Sequence, residues 1–322
     1  MSVTQKQYIS ELKKGGIVKS CFAVKKKEMR EFKDKPQQYL SLEIGDKTGF
    51  VDAVAWENAN FYTTLFEEGD VVWINGRAGE YRGKMQISID SISKYTEYKL
   101  DDFLPQTDKD IEEMTAYLFK VIEGINNPYL KKLLDSFMGD TNFLSRFKQA
   151  PAARSVHHAY LGGLLEHTCE LLKIGEVICS TYPQIDMELF FAGAILHDIG
   201  KIDELKYSLC VDYTDEGELI GHIVIGERMV AQRIETIEGF PSSLRMDLLH
   251  IILSHHGEYA FGSPKRPKTL EACALHHTDN LSAQVKRFIQ IMGRKADTGN
   301  NWTAYDGLLG RRLYVQDSNV SE

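Results

Sequence analysis

The chain has 322 residues, about twice the length of a common single domain, with 43% hydrophobic and 26% charged residues. We therefore expect two or more globular units with hydrophobic cores, and we exclude wholesale disorder and a small disulfide scaffold. The longest apolar run, Leu189–Leu196, has eight residues, far fewer than the ~20 that cross a bilayer. The polar N-terminus is unlike a signal peptide, so we predict a soluble cytoplasmic protein with no membrane partner.

Charge differs between the two parts of the chain. Residues 1–100 carry a net charge of +2 and residues 101–322 a net charge of −10, which together give the total of −8. An acidic average argues against a protein that coats DNA with its whole surface, although a local basic patch or a bound metal still allows nucleic-acid binding. The five cysteines form an odd set without a C-x-x-C pair, which favours reduced thiols and excludes a zinc ribbon.

The first hundred residues have the pattern of a β domain. Between Gly15 and Ser93, apolar residues alternate with polar ones in five short groups separated by turn residues, which predicts five strands. Helical spacing in Glu57–Glu68 predicts one helix between the third and fourth strands. Three strands, a helix and two strands predict a five-stranded OB barrel, with an SH3-like barrel as the alternative.

The rest of the chain has the pattern of helices. From Asp108 onward, apolar residues recur every three or four positions, so we predict an all-α domain. The expected order is an OB-fold nucleic-acid-binding domain (1–100), a linker (101–107), the all-α domain (108–292) and a tail packing on it (293–322). The helical stripes cover residues 161–180, 187–198, 221–238, 243–256 and 269–292.

Histidines carry the strongest chemical signal in the sequence. All 10 lie between residues 157 and 277. Intermediate divalent metals prefer neutral imidazole and carboxylate ligands, and five imidazoles with two carboxylates can hold two ions that share one bridging carboxylate. The candidate ligands, each on or at the end of a predicted helix, are His167, His197, Asp198, His222, His255, His256 and Asp279.

The H-D-x-G-K run at 197–201 strengthens this metal prediction. We expect His197 and Asp198 to end a helix that Gly200 stops, so that both side chains turn towards one metal. Lys201 follows, where an ammonium can hold a phosphate beside the ions. Small residues one turn from the candidate ligands leave space for them. These small residues are Gly193, Gly226 and Ala283.

The ligand order resembles the H…HD…H…HH…D pattern of the HD-domain metal-dependent phosphohydrolases. The run from Gly162 to Thr168 and the run from His276 to Leu281, behind an OB barrel, resemble the YhaM-type 3′→5′ exoribonucleases of Gram-positive bacteria. The resemblance covers nearly the whole chain. It implies that residues 108–292 form an HD phosphohydrolase domain that trims single-stranded RNA from its 3′ end to nucleoside 5′-monophosphates.

The resemblance also implies roles for individual residues. One metal would be held by His167, His197, Asp198 and Asp279, and the second by His222, His255 and His256, with Asp198 bridging. Asp198 and Lys201 would act in catalysis, Lys201 by stabilising the extra negative charge at phosphorus. A histidine-rich set favours Mn²⁺, Fe²⁺ or Co²⁺ over Mg²⁺, and the resemblance points to Mn²⁺, leaving iron and cobalt as alternatives.

Several further residues are candidates for substrate contact. His157 and His158 precede a Gly-Gly break and contact either the substrate or backbone carbonyls at a helix end. His276 lies three residues before Asp279, so we expect it to orient that carboxylate or to contact substrate. On the barrel, we expect basic and aromatic residues of the first-to-second and fourth-to-fifth strand loops to bind nucleic acid, although mixed-charge loops are often merely solvated. The nucleic-acid candidates are Lys25, Lys27, Arg30, Lys33, Lys35, Tyr39, Tyr81, Arg82 and Lys84.

Two other functions remain open at this point. The first is an HD-type phosphohydrolase that acts on small nucleotides, for which an oligomer-binding barrel has no evident use. The second is a single-strand-binding replication accessory protein with a structural metal site. Single-stranded DNA is an alternative partner because no residue identifies a reader of the 2′-hydroxyl group, and a homo-oligomer is compatible with the sequence.

Overall fold

The computed structural model describes residues 6–32, 37–81, 83–99, 102–154, 160–207, 209, 211–293, 301–307 and 309–315. The chain divides into two compact units. The first unit runs up to Gln106 and includes the later segment Lys206–Asp212, and the second contains Thr107–Leu205 and the chain from Tyr213 onward. The predicted domain limits at residues 100 and 108 stay a prediction.

The first unit is a closed five-stranded barrel. Its strands are β1 (Ile17–Glu31), β2 (Gln38–Asp46), β3 (Gly49–Ala55), β4 (Val71–Tyr81) and β5 (Lys84–Lys94). They follow the order β1-β2-β3-β5-β4, in which only β3 and β5 pair in parallel. Alternate residues such as Leu40, Leu42 and Ile44 are fully buried inside it. This topology confirms the predicted OB fold.

Two details of the barrel differ from the prediction. Residues 25–31, predicted as a loop, belong to β1, in which residues 26–31 pair with β2 and Lys25 lies at a bulge. The loop placement of Lys25, Lys27 and Arg30 was therefore wrong. Successive side chains of a strand point to opposite faces of the sheet, and the face towards solvent accommodates charged residues. A charged stretch can therefore form a strand. The helix predicted over Glu57–Glu68 is a single turn, α1 (Ala59–Tyr62), which follows Asn58 in the left-handed region at φ 54°.

The second unit is helical, as predicted, and within the described residues no helix is long and apolar enough to cross a membrane. Along the chain, a two-stranded hairpin, β6 (Leu205–Tyr207) and β7 (Val211–Tyr213), separates these helices, and its segment Lys206–Asp212 belongs to the first unit. The helical pattern did not predict this hairpin. The helices are α2 (Ile111–Glu123), α3 (Pro128–Met138), α4 (Thr141–Gln149), α5 (Gly163–Thr181), α6 (Met187–Leu196), α7 (Lys201–Glu204), α8 (Asp215–Ile220), α9 (His222–Glu235), α10 (Ser242–Ser254) and α11 (Leu270–Gly293).

Helix α6 is the central element of this unit. Every residue from Leu189 to Leu196 is buried, which is the pattern of a helix surrounded by others. A Cβ atom on Gly193 would lie 2.7 Å from Ile251 of α10, and one on Gly175 of α5 would lie 2.2 Å from the ring of Phe190. These close approaches carry the C-terminal end of α6 into the interior of the unit.

The described part of the tail contacts α11. The guanidinium of Arg287 binds both carboxylate oxygens of Asp306, at 2.7 and 2.8 Å. Arg311 lies over the ring of Phe288, and the side chain of Leu313 is buried. Both contacts come from one guanidinium nitrogen, Nη2, and this charge-assisted pair holds the described tail residues against the helix.

Candidate metal centre

Five helices of the second unit bring the seven predicted ligands together. His167 lies in α5, His222 begins α9 and Asp279 lies in α11, whereas two pairs follow the ends of helices: His197 with Asp198 after α6, and His255 with His256 after α10. Three sets of ligand atoms each lie within 4.8 Å of one another. The sets are His167, His197 and Asp279; His197, Asp198 and His255; and His222, His255 and His256.

Asp198 lies at the middle of the cluster. Its Oδ2 is 3.3 Å from Nε2 of His197 and 3.9 Å from Nε2 of His167. Its Oδ1 is 3.4 Å from Nε2 of His222 and 3.6 Å from Nε2 of His255. The two oxygens of one carboxylate therefore face different groups of imidazoles, which is the arrangement that a bridging ligand needs.

The imidazole rings are oriented by the hydrogen bonds of their Nδ1 atoms. His197, His255 and His256 place Nδ1 2.9, 2.7 and 2.9 Å from the backbone carbonyl oxygens of Ala194, Ile252 and Phe261. A carbonyl only accepts hydrogen bonds, so each Nδ1 carries the proton and each Nε2 has a free lone pair. This is the tautomer that binds a metal through Nε2.

Within the described residues, four buried atoms of the cluster lack a hydrogen-bond partner. They are Nε2 of His197, His222 and His255, and Oδ1 of Asp198. All four are acceptors that face one another, and buried acceptors without donors are costly. A divalent cation satisfies such a set, so the donor chemistry of this cluster fits metal binding.

Burial and charge set the protonation of the cluster. Burial lowers the pKa of His222 and His255, and it lowers the pKa of His256 to about 4, so these three imidazoles remain neutral. Burial alone would raise the pKa of Asp198, but the adjacent His197 and Lys201 hold it well below its usual range. Burial alone would lower the pKa of His197 as well, but the Asp198 carboxylate raises it. The site therefore presents three neutral imidazoles and an ionised carboxylate, the forms that bind cations.

Gly200 determines how closely two of these helices approach. It has a right-handed φ of −61° at the start of α7, whereas α6 already ends at Leu196, so the expectation that Gly200 stops a helix was wrong. A Cβ atom there would lie 2.0 Å from the carbonyl oxygen of His222 and 2.6 Å from the nitrogen of Gly226. Glycine is required because backbone meets backbone, and this contact brings His222 to Asp198.

Lys201 adds a fixed positive charge to the site. Its Nζ lies 2.6 Å from Oδ2 of Asp198, and 15% of its side chain is exposed. Burial alone would lower its pKa, but the Asp198 carboxylate raises it above its ordinary value. Lys201 also lines a cavity of about 300 Å³ that lies over the cluster, where its ammonium can attract an anion.

Other predicted residues have different outcomes. His276 lines the cavity, and its Nδ1 lies 2.8 Å from the carbonyl oxygen of His255, which ties this histidine to the backbone of a ligand pair. A role for His276 in orienting Asp279 stays a prediction. Five other predicted residues lie outside the described residues. These residues are Lys33, Lys35, Arg82 and the pair His157 and His158.

Sequence reasoning missed Glu204, which lies at the end of α7. This buried carboxylate accepts hydrogen bonds from the backbone nitrogen and from Nδ1 of His222, both at 2.9 Å. It therefore does for His222 what backbone carbonyls do for the other rings. A glutamate six positions after Asp198 has no distinctive local pattern, so only the fold identifies it.

The barrel candidates occupy two separate places on the first unit. Tyr39 packs with Phe32 and Trp56, with ring centroids 5.0 to 5.7 Å apart. We call these three rings the barrel aromatic cluster. Arg30 stands opposite Tyr39 across the β1–β2 pair. Tyr81 and Lys84 line another groove, beside the turn between β4 and β5.

Lysines of β1 have partners on the barrel itself. Lys27 is largely buried and donates hydrogen bonds to the carbonyl oxygens of Thr63 and Phe66, at 3.2 and 2.6 Å, so it holds the segment after α1 in place. Lys25 pairs with Glu43 at 3.1 Å. Its ammonium also lies 3.9 Å from the centre of the Phe50 ring.

Comparison with known proteins places both units in families. The HD domain family matches residues 164–284, and the OB-fold nucleic acid binding domain family matches residues 24–95. The 3′-5′ exoribonuclease YhaM of Shouchella clausii is 35% identical over 268 residues, which are 80% of each chain. YhaM of Bacillus subtilis is 32% identical over 264 residues, covering 80% of this chain and 82% of that protein.

This chain belongs to the YhaM family of 3′→5′ exoribonucleases. Its HD match includes every candidate ligand from His167 to Asp279, and its OB match includes Arg30, Tyr39 and Trp56. Among solved structures, an OB-fold domain of replication protein A from Methanococcus maripaludis aligns with 30% of this chain, with 22% identity and a TM-score of 0.25. The strand order and the family match establish the barrel fold without that likeness.

Proposed function

We propose that this member of the YhaM family hydrolyses single-stranded RNA from its 3′ end to nucleoside 5′-monophosphates at a two-metal site. His167, His197, Asp198 and Asp279 would hold one ion. The second would be held by His222, His255 and His256, with Asp198 shared. The observation that carries this proposal is the set of buried acceptor atoms that face one another without a donor.

The donor set also bears on the choice of metal. Five imidazoles favour Mn²⁺, Fe²⁺ or Co²⁺ over Mg²⁺, which prefers oxygen, and our proposal is Mn²⁺. When bound, such ions lower the pKa of water and offset the negative charge of a phosphodiester. Residues of this chain would position the metal ligands. Backbone carbonyls and Glu204 orient the imidazole rings of the candidate ligands, and Asp198 offers one oxygen to each side of the cluster.

Lys201 has a separate part in this proposal. Its ammonium contacts Asp198 and lines the cavity, so it can bind a non-bridging phosphate oxygen as negative charge increases at phosphorus. Its raised pKa keeps it protonated at neutral pH. We propose Asp198 and Lys201 as the catalytic residues on the protein side.

The barrel would bind the RNA chain by its bases and phosphates. The barrel aromatic cluster includes Trp56, which is 45% exposed, and exposed rings stack on unpaired bases of any sequence. Arg30 lies beside this cluster, and Tyr81 with Lys84 offers a second aromatic and basic pair. Single-stranded DNA is the second partner that this surface fits, and a cytoplasmic location belongs to the same proposal.

One assay tests the activity. Purified protein with Mn²⁺ should shorten a 5′-labelled single-stranded oligoribonucleotide one residue at a time and release nucleoside 5′-monophosphates. Asp198→Ala should abolish this shortening, while circular dichroism shows a folded protein. Free nucleoside triphosphates, added as competitors, should neither be hydrolysed at a comparable rate nor inhibit strongly. Intact RNA across metals and pH would contradict the proposal.

A further inference from the structure

We propose that Phe261 stacks on the base of the 3′-terminal nucleotide and so positions the scissile phosphodiester at the metal cluster. This inference rests on the proposed function, because it names the substrate group that one wall of the same cavity recognises. It assigns a specificity role to a residue outside the ligand set. No feature of the sequence around Phe261 indicated such a role.

Phe261 serves the site through its backbone and presents its ring to the cavity. Its carbonyl oxygen lies 2.9 Å from Nδ1 of His256 and so orients a candidate ligand. Its side chain is 67% exposed and lines the cavity over the cluster. The flat apolar face of this ring borders the cavity, where the base of a nucleotide can stack on it.

The loop that carries Phe261 is held in a defined conformation. It forms a 3₁₀ turn, Tyr259–Phe261, that ends at Gly262 with φ 79°. The carbonyl oxygen of Glu258 accepts hydrogen bonds from the nitrogens of Phe261 and Ser263, at 2.9 and 3.3 Å. Ser263 is buried and donates to the carbonyl oxygen of Lys265 at 2.6 Å. The ring is therefore presented from a fixed backbone, which reduces the entropic cost of stacking.

The chemistry of the cavity separates into two regions. Asp198, Lys201 and the imidazoles supply charge and metal ligands for a phosphate, whereas Phe261 supplies an apolar flat surface. The cavity volume of about 300 Å³ is at the lower end of the ~300–1,000 Å³ range of small-molecule pockets. A cavity of that size accommodates one nucleotide unit. A ring reads the face of a base and not its edge, so all four bases should be accepted.

Tyr259 provides a matched control on the same loop. It is 65% exposed, nearly the same as Phe261, but it is not among the described residues that line the cavity. Both residues belong to the same 3₁₀ turn. Loss of either ring should therefore perturb the loop to a similar extent, whereas only Phe261 should affect the terminal base.

The experiment compares two oligoribonucleotides that differ only at the 3′ end, one ending in a complete nucleoside and the other in an abasic ribose. The first cleavage is timed with Mn²⁺. Wild-type protein should prefer the base-bearing end by roughly tenfold in kcat/KM, the scale of one stacked base. Phe261→Ala and Phe261→Leu should lose this preference, Phe261→Trp should keep it, and Tyr259→Ala should resemble wild type.

The outcomes separate this inference from the proposed function. If wild-type protein cleaves neither RNA, the proposed function fails. If it cleaves both RNAs equally, or if Phe261→Leu keeps the preference while folded, the stacking role is overturned and the exoribonuclease proposal stands. Manganese content of each variant is measured alongside, and it should not change because the Phe261 carbonyl is retained. Should Phe261→Ala unfold, Phe261→Leu, which keeps apolar volume without a ring, decides the result.

Discussion

The metal cluster of the helical unit and the aromatic cluster of the barrel differ in how firmly their residues are fixed. In the metal cluster, His197 and His255 are almost fully buried, and a backbone carbonyl holds each ring. On the barrel, Trp56 is 45% exposed and the cations nearby bind acidic residues of the same unit, as Arg30 binds Glu28 at 2.6 Å. We therefore expect substitutions in the first region to be tolerated less well than substitutions in the second.

This difference has an energetic basis. Removing one member of a buried set of charged and polar groups leaves the others unsatisfied, which costs several kcal/mol. Exposed pairs on a sheet are screened by water and contribute about 0–1 kcal/mol. Substitutions in the helical unit should therefore have large effects on metal content, activity or stability, and substitutions on the barrel should have small ones.

The largest effect is expected for Asp198→Ala. Because Asp198 offers one oxygen to each side of the cluster, its loss should reduce kcat on labelled RNA by about 10³-fold or more. Bound metal should fall in the same preparation. Asp135→Ala, which removes an exposed aspartate of α3, is the control and should leave both quantities unchanged. Full activity in the Asp198→Ala variant would contradict the claim that substitutions in the metal cluster have the largest effects.

Glu166→Gln tests how much a buried, hydrogen-bonded carboxylate outside the set of metal ligands stabilises the helical unit. Burial alone would raise the pKa of Glu166, but hydrogen bonds from Lys286, Thr107 and Lys109 lower it to about 2. A depressed folded-state pKa stabilises the protein above the unfolded value of 4.5, and the stabilisation is lost as pH falls towards 2. We expect the variant to lose about 3 kcal/mol of unfolding free energy at pH 7.

Urea unfolding at several pH values measures this effect. The difference between wild type and Glu166→Gln should be largest above pH 4.5 and should shrink as the pH is lowered. Glu28→Gln is the matched variant on the barrel, where a partly exposed carboxylate binds Lys26 and Arg30. Its unfolding curve should be close to that of wild type, and equal losses in the two variants would contradict the contrast between the regions.

Glu204→Ala tests the support behind one ligand. Without its carboxylate, the ring of His222 loses the acceptor for Nδ1, so affinity for one of two ions should fall about 10- to 100-fold. Calorimetric titration with Mn²⁺ should then show one tight and one weakened site. Glu204→Gln keeps an oxygen acceptor at the same place and should bind nearly as wild type does. Equal weakening of both sites in Glu204→Ala would indicate a general structural defect instead.

The smallest effect is expected on the barrel. In the Asp198→Ala background, which prevents cleavage, Trp56→Ala should weaken binding of a fluorescent single-stranded RNA by roughly tenfold, the scale of one base stacked on a ring. Phe61→Ala removes another exposed ring, 61% exposed in α1 and outside the barrel aromatic cluster. That control should bind as the parent does. If Trp56→Ala weakened RNA binding by as much as loss of a metal ligand reduces activity, the proposed difference between the barrel and the metal cluster would be contradicted.

The sequence predicts the metal cluster well because the chemistry demands particular residue types. Only imidazoles and carboxylates suit such ions, so His167, His222 and Asp279 are recognisable although they lie far apart in the chain. Gly200 illustrates what remains hidden. A glycine is needed there because the backbone of Gly200 contacts the backbone of His222. His222 is more than twenty positions away, so no local sequence pattern indicates that contact.

The barrel was harder to predict in detail than in topology. Alternating apolar residues such as Leu40, Leu42 and Ile44 report the strands. The charged stretch of β1 from Lys25 onward does not, because its outward side chains face solvent and resemble those of a loop. The β6–β7 hairpin was missed for a related reason: its two three-residue strands are too short for a period of two to be visible.

Crystals of protein grown with Mn²⁺, measured for anomalous scattering at the manganese edge, test the central claim most directly. The account predicts two anomalous peaks per chain among the seven side chains, one on the His167 side of Asp198 and one on the His222 side. No peak within this cluster, or peaks only at other sites on the protein, would contradict it.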